Sequence, residues 1–212
     1  MTNLQATRLV LIRHAQCISN KHYKDNKVFI QQKHSDELTS NGIDMAKAIG
    51  KGLPYLLKRI PIVDKLIDYS LNPIIYTSES LRTQETWKHT GLSDKFIIQP
   101  WLNELSMSKM NNKERTDYAG SAIAPEIEKL CNENRGKTLI LITHALVIKH
   151  YLNYITQSSV VHMAPALAGV TVLINMSNGQ TSLETFSDMS ALAIGGYDIT
   201  KSHVWNPSHV YK

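Results

Sequence analysis

The chain has 212 residues, of which 42% are hydrophobic and 19% charged, which suits one sizeable core and excludes an intrinsically disordered protein. The 23 lysine and arginine residues exceed the 18 aspartate and glutamate residues, but they are scattered, so we expect no nucleic-acid partner. Two cysteines are too few for a disulfide framework, and no apolar run suits a signal peptide or a membrane span, so we expect a cytoplasmic protein.

Short apolar runs alternate with helical patterns along the chain. The predicted strands are residues 8–12, 73–77, 95–99 and 137–143, followed by a hairpin over 169–186 that turns at Asn178-Gly179. The predicted helices are residues 38–53, 78–91, 116–136 and 145–156. In the first helix Thr39 is the predicted N-cap and Pro54 is expected to end or kink the helix, while Gly91 is expected to stop the second.

This alternation predicts an α/β fold, a three-layer α/β/α sandwich with a mostly parallel central sheet. The runs 8–12 and 137–143 are apolar throughout, as expected of central strands that are covered on both faces. We expect a single domain over residues 1–212, with a core at about 8–186. The tail 187–212 has no clear period, and it is predicted to pack on the core, to mediate dimerisation or to cover the pocket.

Each predicted strand is followed by a residue suited to phosphate chemistry: Arg13-His14, Arg82, Glu104 and His144. In open α/β sheets, ligands bind outside the carboxyl ends of the strands, where helix N-termini also begin. Arginine binds phosphate oxygens in a fork, a neutral imidazole can attack phosphorus, and a carboxyl group can protonate the leaving oxygen. These residues therefore favour phosphoryl transfer without a metal ion.

The same motifs resemble those of the histidine phosphatase superfamily, which has the phosphoglycerate mutase-like fold. Residues 13–20, "RHAQCISN", are similar to the family's opening Arg-His-Gly segment with its Gln or Glu, its Ser and its Asn. Four further motifs follow in the family's order: "LTSNG" at 38–42, "SESLRTQET" at 78–86, "LNEL" at 102–105 and "THA" at 143–145. The resemblance extends over about residues 8–175.

The resemblance implies that His14 is a nucleophile, forming a phosphohistidine, and that Glu104 first donates a proton and then activates water. It implies that three residues bind the phosphoryl oxygens: Arg13, Arg82 and His144. Asn20 would help to shape the pocket. No metal and no cofactor would be needed, and the partner would be a small phosphorylated substrate.

Three positions depart from the family pattern. Ala15 and Ala145 stand where the family has glycine, which is harmless at negative φ and costly at positive φ. Cys17 stands where the family has serine. We expect Cys17 to be a buried stand-in for that serine; the alternative is an oxidisable thiol whose pKa is lowered by Arg13 and a helix N-terminus.

Residues 21–37 follow this loop and carry several lysines. They are either a solvated surface loop or a basic lip for a second anionic group. Lys21 and His22, with Cys17 and Ala145, are predicted to lie at the substrate pocket or its rim, as is His162. His150 is predicted to be exposed on its helix.

The favoured function is a metal-independent phosphomonoester hydrolase acting on a small phosphorylated metabolite. The residue after His144 is not aspartate, which disfavours the acid phosphatase and phytase branch of the family, and residues 105–120 lack the signature of the glycolytic mutase. A mutase-type phosphotransferase and a non-catalytic phospholigand-binding protein are the alternatives, and a homodimer stays open.

Overall fold

The computed structural model is built around a six-stranded sheet, and it describes residues 6–26, 36–59, 73–105, 110–157 and 164–201. The strands are β1 (Ala6–Arg13), β2 (Ile74–Thr77), β3 (Ile97–Ile98), β4 (Thr138–Thr143), β5 (Val170–Met176) and β6 (Thr181–Asp188). Their spatial order is β3-β2-β4-β1-β5-β6. The first four are parallel, whereas β5 is antiparallel to β1 and β6 to β5.

Helices connect and cover these strands. They are α1 (Ile18–Asn26), α2 (Ser40–Arg59), α3 (Leu81–Lys88), α4 (Asn112–Tyr118), α5 (Ala124–Glu133), α6 (Ala145–Ile155) and α7 (Ser190–Ile194). A π-helical segment, Ala119–Ile123, joins α4 to α5, and 3₁₀ turns lie at Pro100–Leu102 and Ile199–Lys201. None of the helices in the described ranges is long and apolar enough to cross a bilayer.

The side chains of β1 divide between two cores, one on each face of the sheet. Val10 and Ile12 pack with α2, α3 and α7, whereas Leu9 and Leu11 pack with α5 and α6. Successive side chains of a strand point to opposite faces, so a fully apolar strand requires a helical layer on each side. The predicted three-layer α/β/α sandwich is therefore confirmed.

The local signals for caps and turns are also confirmed. The Thr39 hydroxyl accepts a hydrogen bond from the Gly42 amide at 3.0 Å, which is the contact of an N-cap. Gly91 follows α3 with a φ of 69°, and Gly179 turns the β5–β6 hairpin with a φ of 85°. Glycine adopts this left-handed conformation without the steric cost that other residues meet.

Several elements differ from the sequence prediction. Helix α2 continues past Pro54 to Arg59, because Leu53 and Leu56 are both buried in the core beside the proline. Strand β3 has two residues instead of five and lies at the exposed edge of the sheet. Two helices were not predicted: the polar α1, in which Ile18 is exposed, and the five-residue α7, which packs on the core.

Helix α2 packs directly against backbone atoms of its neighbours. A Cβ atom added at Gly50 would lie 1.9 Å from the Thr90 carbonyl oxygen, and one added at Gly52 would lie 1.8 Å from that of Ala191. Neither contact is sterically possible without a shift of the backbone. The glycines therefore set the distance between α2 and the elements around it.

We predict that Gly50→Ala destabilises the fold although alanine is the better helix former. The methyl group forces α2 away from Thr90, and such overpacking costs about 1–3 kcal/mol. Urea unfolding measures this loss, with Lys51→Ala on the exposed face of α2 as the control that changes stability by less than about 0.5 kcal/mol. Equal stability of G50A and wild type would contradict the close packing.

Candidate active site

The pairing of β1 with β4 brings two histidines together at the carboxyl edge of the sheet. Arg13 is paired with Thr143, so His14 and His144 are the next residues on adjacent parallel strands. The His14 amide donates to the Thr143 carbonyl at 2.9 Å. The two imidazole rings meet edge to face, with centroids 5.2 Å apart and planes at 61°.

Arg82 joins the pair from α3, which begins just beyond the end of β2. Its Nη2 lies 3.2 Å from His144 Nδ1, and His144 Nε2 lies 2.9 Å from Ser78 Oγ. Because a guanidinium can only donate, Nδ1 is the acceptor and Nε2 carries the hydrogen donated to Ser78. Both ring nitrogens of His144 are thus engaged, and the ring holds Arg82 in place.

Arg13, His14, Arg82 and His144 form what we call the histidine–arginine cluster, and all four side chains are buried. Arg13 Nη1 donates to the Pro165 carbonyl at 2.7 Å, while the buried Arg13 Nε has no hydrogen-bond partner in the part of the chain that is described. Burial lowers the pKa of Arg13 to about 10, against the opposing charge of Glu104. The guanidinium remains a cation at neutral pH.

His14 is held as a neutral imidazole with a defined tautomer. Its Nδ1 lies 2.8 Å from the Ala15 carbonyl oxygen, and since a carbonyl only accepts, Nδ1 carries the hydrogen. Burial, followed by the charges of Arg82 and Arg13, lowers the pKa of His14 well below its ordinary value. Nε2 therefore has an available lone pair, as a nucleophile requires.

Glu104 lies on the loop after the 3₁₀ turn and reaches the N-terminus of α6. Its Oε1 accepts from the amides of Leu146 and Leu105, both at 3.2 Å. Burial raises the pKa of Glu104, although Arg82 and Arg13 oppose this. The carboxyl group thus keeps its proton to higher pH than an ordinary glutamate, which suits a general acid.

The segment before Glu104 is fixed at two points. Thr143 Oγ1 donates to the Leu102 carbonyl at 2.7 Å, which joins the 3₁₀ turn to the end of β4. Asn103 and Glu79 form a reciprocal pair: Asn103 Nδ2 donates to the Glu79 carboxylate at 2.6 Å, and the Glu79 amide donates to Asn103 Oδ1 at 3.0 Å. These contacts hold Glu104 beside the cluster.

Cys17 and Asn20 stabilise the loop that follows His14. Asn20 Oδ1 accepts from the Cys17 amide at 3.2 Å and from Cys17 Sγ at 3.0 Å. Burial and the nearby Asp36 raise the pKa of Cys17 to about 11. The alternative of a thiol with a lowered pKa is therefore wrong, because desolvation outweighs any effect of Arg13, and Cys17 is buried as expected.

Alanine in place of glycine causes no backbone strain at the two departures from the family pattern. The described non-glycine residues with positive φ are Gln157, Ala168 and Ser187, so neither Ala15 nor Ala145 needs a glycine conformation. Ala15 is fully buried, and its amide donates to Thr86 Oγ1 at 2.9 Å. Ala145 is the first residue of α6.

The predicted rim residues Lys21 and His22 lie on α1. Lys21 is exposed and borders a hollow of about 380 Å³ that it shares with Gln16, Asn41 and Lys201. His22 is hydrogen-bonded with Asn26 along α1, at 3.3 Å. Neither makes a hydrogen bond to the cluster within the described ranges. His162 and most of the proposed basic lip, residues 27–35, lie outside them.

His150 is fully buried, so its predicted exposure is wrong. Its Nδ1 lies 2.9 Å from Thr116 Oγ1, because α4 covers the face of α6 that the sequence prediction left to solvent. Burial, together with Lys149 and Arg115, lowers the pKa of His150 to about 4. It has no contact with the cluster among the hydrogen bonds of the described residues.

Three residues that were not predicted as site residues contact the cluster or the loop after His14. Ser78 Oγ contacts His144, Thr86 Oγ1 accepts from the Ala15 amide, and the Pro165 carbonyl accepts from Arg13. Ser78 and Thr86 lie within the "SESLRTQET" motif, where their polar side chains were the available signal, whereas Pro165 contributes only a backbone oxygen. Within the described residues, no group of three His, Cys, Asp or Glu side chains is arranged to hold a metal ion.

No protein-family profile matches the chain, and no curated protein matches it by sequence. Comparison of folds, in contrast, finds many solved structures. Phosphoglycerate mutase from Bacillus anthracis has 20% sequence identity and a TM-score of 0.66, covering 92% of this chain and 99% of its own. The phosphoserine phosphatase of Entamoeba histolytica, solved with phosphoserine, has 18% identity and a TM-score of 0.64, covering 88% and 99%.

A third similar structure is the mycobacterial glucosyl-3-phosphoglycerate phosphatase solved with VO₃. It has 17% identity and a TM-score of 0.60, and the alignment covers 85% of this chain and 98% of that one. Each of these alignments therefore spans most of this chain and nearly the whole of the other protein. The chain has the phosphoglycerate mutase-like fold that histidine phosphatases share.

Proposed function

We propose that the chain is a metal-independent phosphomonoester hydrolase that acts through a phosphohistidine at His14. The observation that carries this proposal is the neutral His14 imidazole beside two buried guanidinium groups, those of Arg13 and Arg82. A nucleophile with a free lone pair faces a positive field in a site of low dielectric. This combination suits attack on a phosphate dianion better than attack on a neutral substrate.

The charge balance of the site favours an anionic ligand. Arg13 and Arg82 supply two cations, whereas the carboxyl group of Glu104 has a raised pKa and His14 is neutral. A phosphate monoester carries about −1.5 to −2 charges at pH 7 and would offset both cations. The buried Arg13 Nε, which lacks a partner among the described residues, offers a donor for a phosphoryl oxygen.

In the first step His14 Nε2 attacks the phosphorus atom, and a P–N bond forms as the bond to the leaving oxygen breaks. Glu104 gives its proton to that oxygen. In the second step the Glu104 carboxylate takes a proton from water as the water attacks phosphorus and the P–N bond breaks. Inorganic phosphate leaves, and both residues return to their starting states.

The substrate we propose is a small phosphorylated metabolite. Two of the similar structures are named as phosphatases of phosphoserine and glucosyl-3-phosphoglycerate, both compact phosphomonoesters. The non-catalytic alternative rested on Ala15 and Ala145, and since neither has a positive φ, backbone strain does not favour it. A mutase-type phosphotransferase would use the same residues, and a requirement for a bisphosphate primer would identify it.

We predict that His14→Ala lowers the turnover of an aryl phosphate by at least about 10³-fold, because no other group replaces the nucleophile. Turnover is measured in the presence of EDTA, which we expect to leave the wild type fully active. His150→Ala is the matched control, since it removes a second fully buried imidazole that has no part in the mechanism. Full activity of a folded H14A protein would refute the proposal.

We predict that the single-turnover rate of phosphorylation falls as the pH rises through the raised pKa of Glu104. It should persist in acid below the ordinary histidine value of about 6.5, because the pKa of His14 is lowered and the imidazole stays neutral there. Stopped-flow measurements with an alkyl phosphate give this profile.

Glu104→Gln is the control for that profile, because its side-chain oxygen can still accept from Leu146 while it cannot titrate. The substrate's own ionisation remains in both proteins. The alkaline limb that is assigned to Glu104 should therefore be present in the wild type and absent in E104Q. An alkaline limb of the same shape in both proteins would contradict the acid role.

A further inference from the structure

Side chains make hydrogen bonds to both the carbonyl and the N–H of the peptide unit between Pro165 and Ala166. Its carbonyl oxygen accepts from Arg13 Nη1 at 2.7 Å. Its N–H, which belongs to Ala166, donates to Ser187 Oγ at 2.7 Å. Because a peptide unit is planar and rigid, a contact that fixes its N–H also fixes the direction of its carbonyl. Ser187 is thereby linked to Arg13 through one rigid group.

The turn that contains this peptide unit lies directly on the catalytic strand. The Ala168 amide donates to the carbonyls of Arg13 and His14, at 3.1 and 3.3 Å, and the Arg13 amide donates to the Gly169 carbonyl at 3.3 Å. Ala168 is fully buried and has a φ of 58°, which is unfavourable for alanine. The turn is thus a strained, buried support for the end of β1.

Ser187 reaches this turn because β6 is irregular at that point. The register between β5 and β6 shifts between Val170 and Val172, and Ser187 has a φ of 53°. Its amide donates to Thr171 Oγ1 at 3.1 Å, which stabilises the irregular conformation. Bulges of this kind direct a side chain away from the regular pleat and are common beside active sites. Here the redirected side chain is the hydroxyl that holds Ala166.

We propose that Ser187 is a positioning residue for Arg13. Its hydroxyl holds the Pro165–Ala166 peptide unit so that the carbonyl keeps the Arg13 guanidinium aimed at the phosphoryl group. This inference rests on the proposed function only in taking Arg13 as a phosphoryl ligand. Ser187 itself touches no substrate, and loss of its hydroxyl would act entirely through the orientation of Arg13.

The test uses the full-length protein and the variant Ser187→Gly. Glycine removes the hydroxyl but favours the positive φ at this position, so the fold should keep or gain stability. We expect the affinity for orthovanadate and the value of kcat/KM both to fall about 10-fold, because a misdirected guanidinium loses transition-state contacts. Ser187→Ala, which keeps the strained φ, should show the same kinetic loss with lower stability.

Gln157→Gly is the matched control, since Gln157 also has a positive φ, 48°, and lies at the exposed end of α6. It should change neither vanadate affinity nor kcat/KM. A double-mutant cycle with Arg13→Lys then separates positioning from general packing. In the R13K background, removal of the Ser187 hydroxyl should have no further effect on vanadate affinity.

Full vanadate affinity in S187G would overturn the inference. So would an equal loss of vanadate affinity when the Ser187 hydroxyl is removed from the wild type and from R13K. Failure of the proposed function gives a different result. A wild type that hydrolyses no phosphomonoester but binds vanadate in a Ser187-dependent manner would refute the hydrolase and leave the positioning role in place.

Discussion

Parallel pairing of β1 with β4 is the constraint on which the site depends. The register that pairs Arg13 with Thr143 places His14 and His144 side by side, one residue beyond the last pair of the ladder. Both strands are apolar and covered on both faces, so this register is held by the two cores and not by the polar residues. Arg82 is then added from α3 through its contact with His144. The fold alone thus fixes the relative positions of His14, His144 and Arg82.

Burial is the largest influence on the pKa values of His14 and Glu104, and the two guanidinium groups act on both as well. The same desolvation that lowers the pKa of His14 raises that of Glu104, while the cations strengthen the first effect and oppose the second. The imidazole of His14 is thus kept neutral, and the Glu104 carboxyl group keeps its proton to higher pH than an ordinary glutamate, as the proposed first step would require. Buried cations are costly without a counter-charge, so a phosphate dianion would stabilise the site as well as react there.

The sequence predicted the parts of the site that follow directly from strand ends. The apolar runs located β1 and β4, and the polar residues after them located His14 and His144. The contacts that fix the cluster join residues far apart in the sequence, such as Ser78 with His144 and Pro165 with Arg13, and no local pattern reveals which residues will meet. Helix α1 was missed because it is polar and largely exposed. The exposure of His150 was wrongly predicted because α4 covers the face of α6 that carries it.

The most direct test of this account is the chemical identity of the intermediate. Glu104→Gln should react with an aryl phosphate whose leaving group needs no acid, and the phosphoenzyme should then accumulate because water is no longer activated. Peptide mass spectrometry and ³¹P NMR identify the modified atom. The account predicts phosphate on Nε2 of His14, since Nδ1 donates a hydrogen bond to the Ala15 carbonyl. Phosphate on Nδ1 or on another residue would contradict it. So would a Glu104→Gln protein that carries no phosphate although the wild type turns over the same substrate.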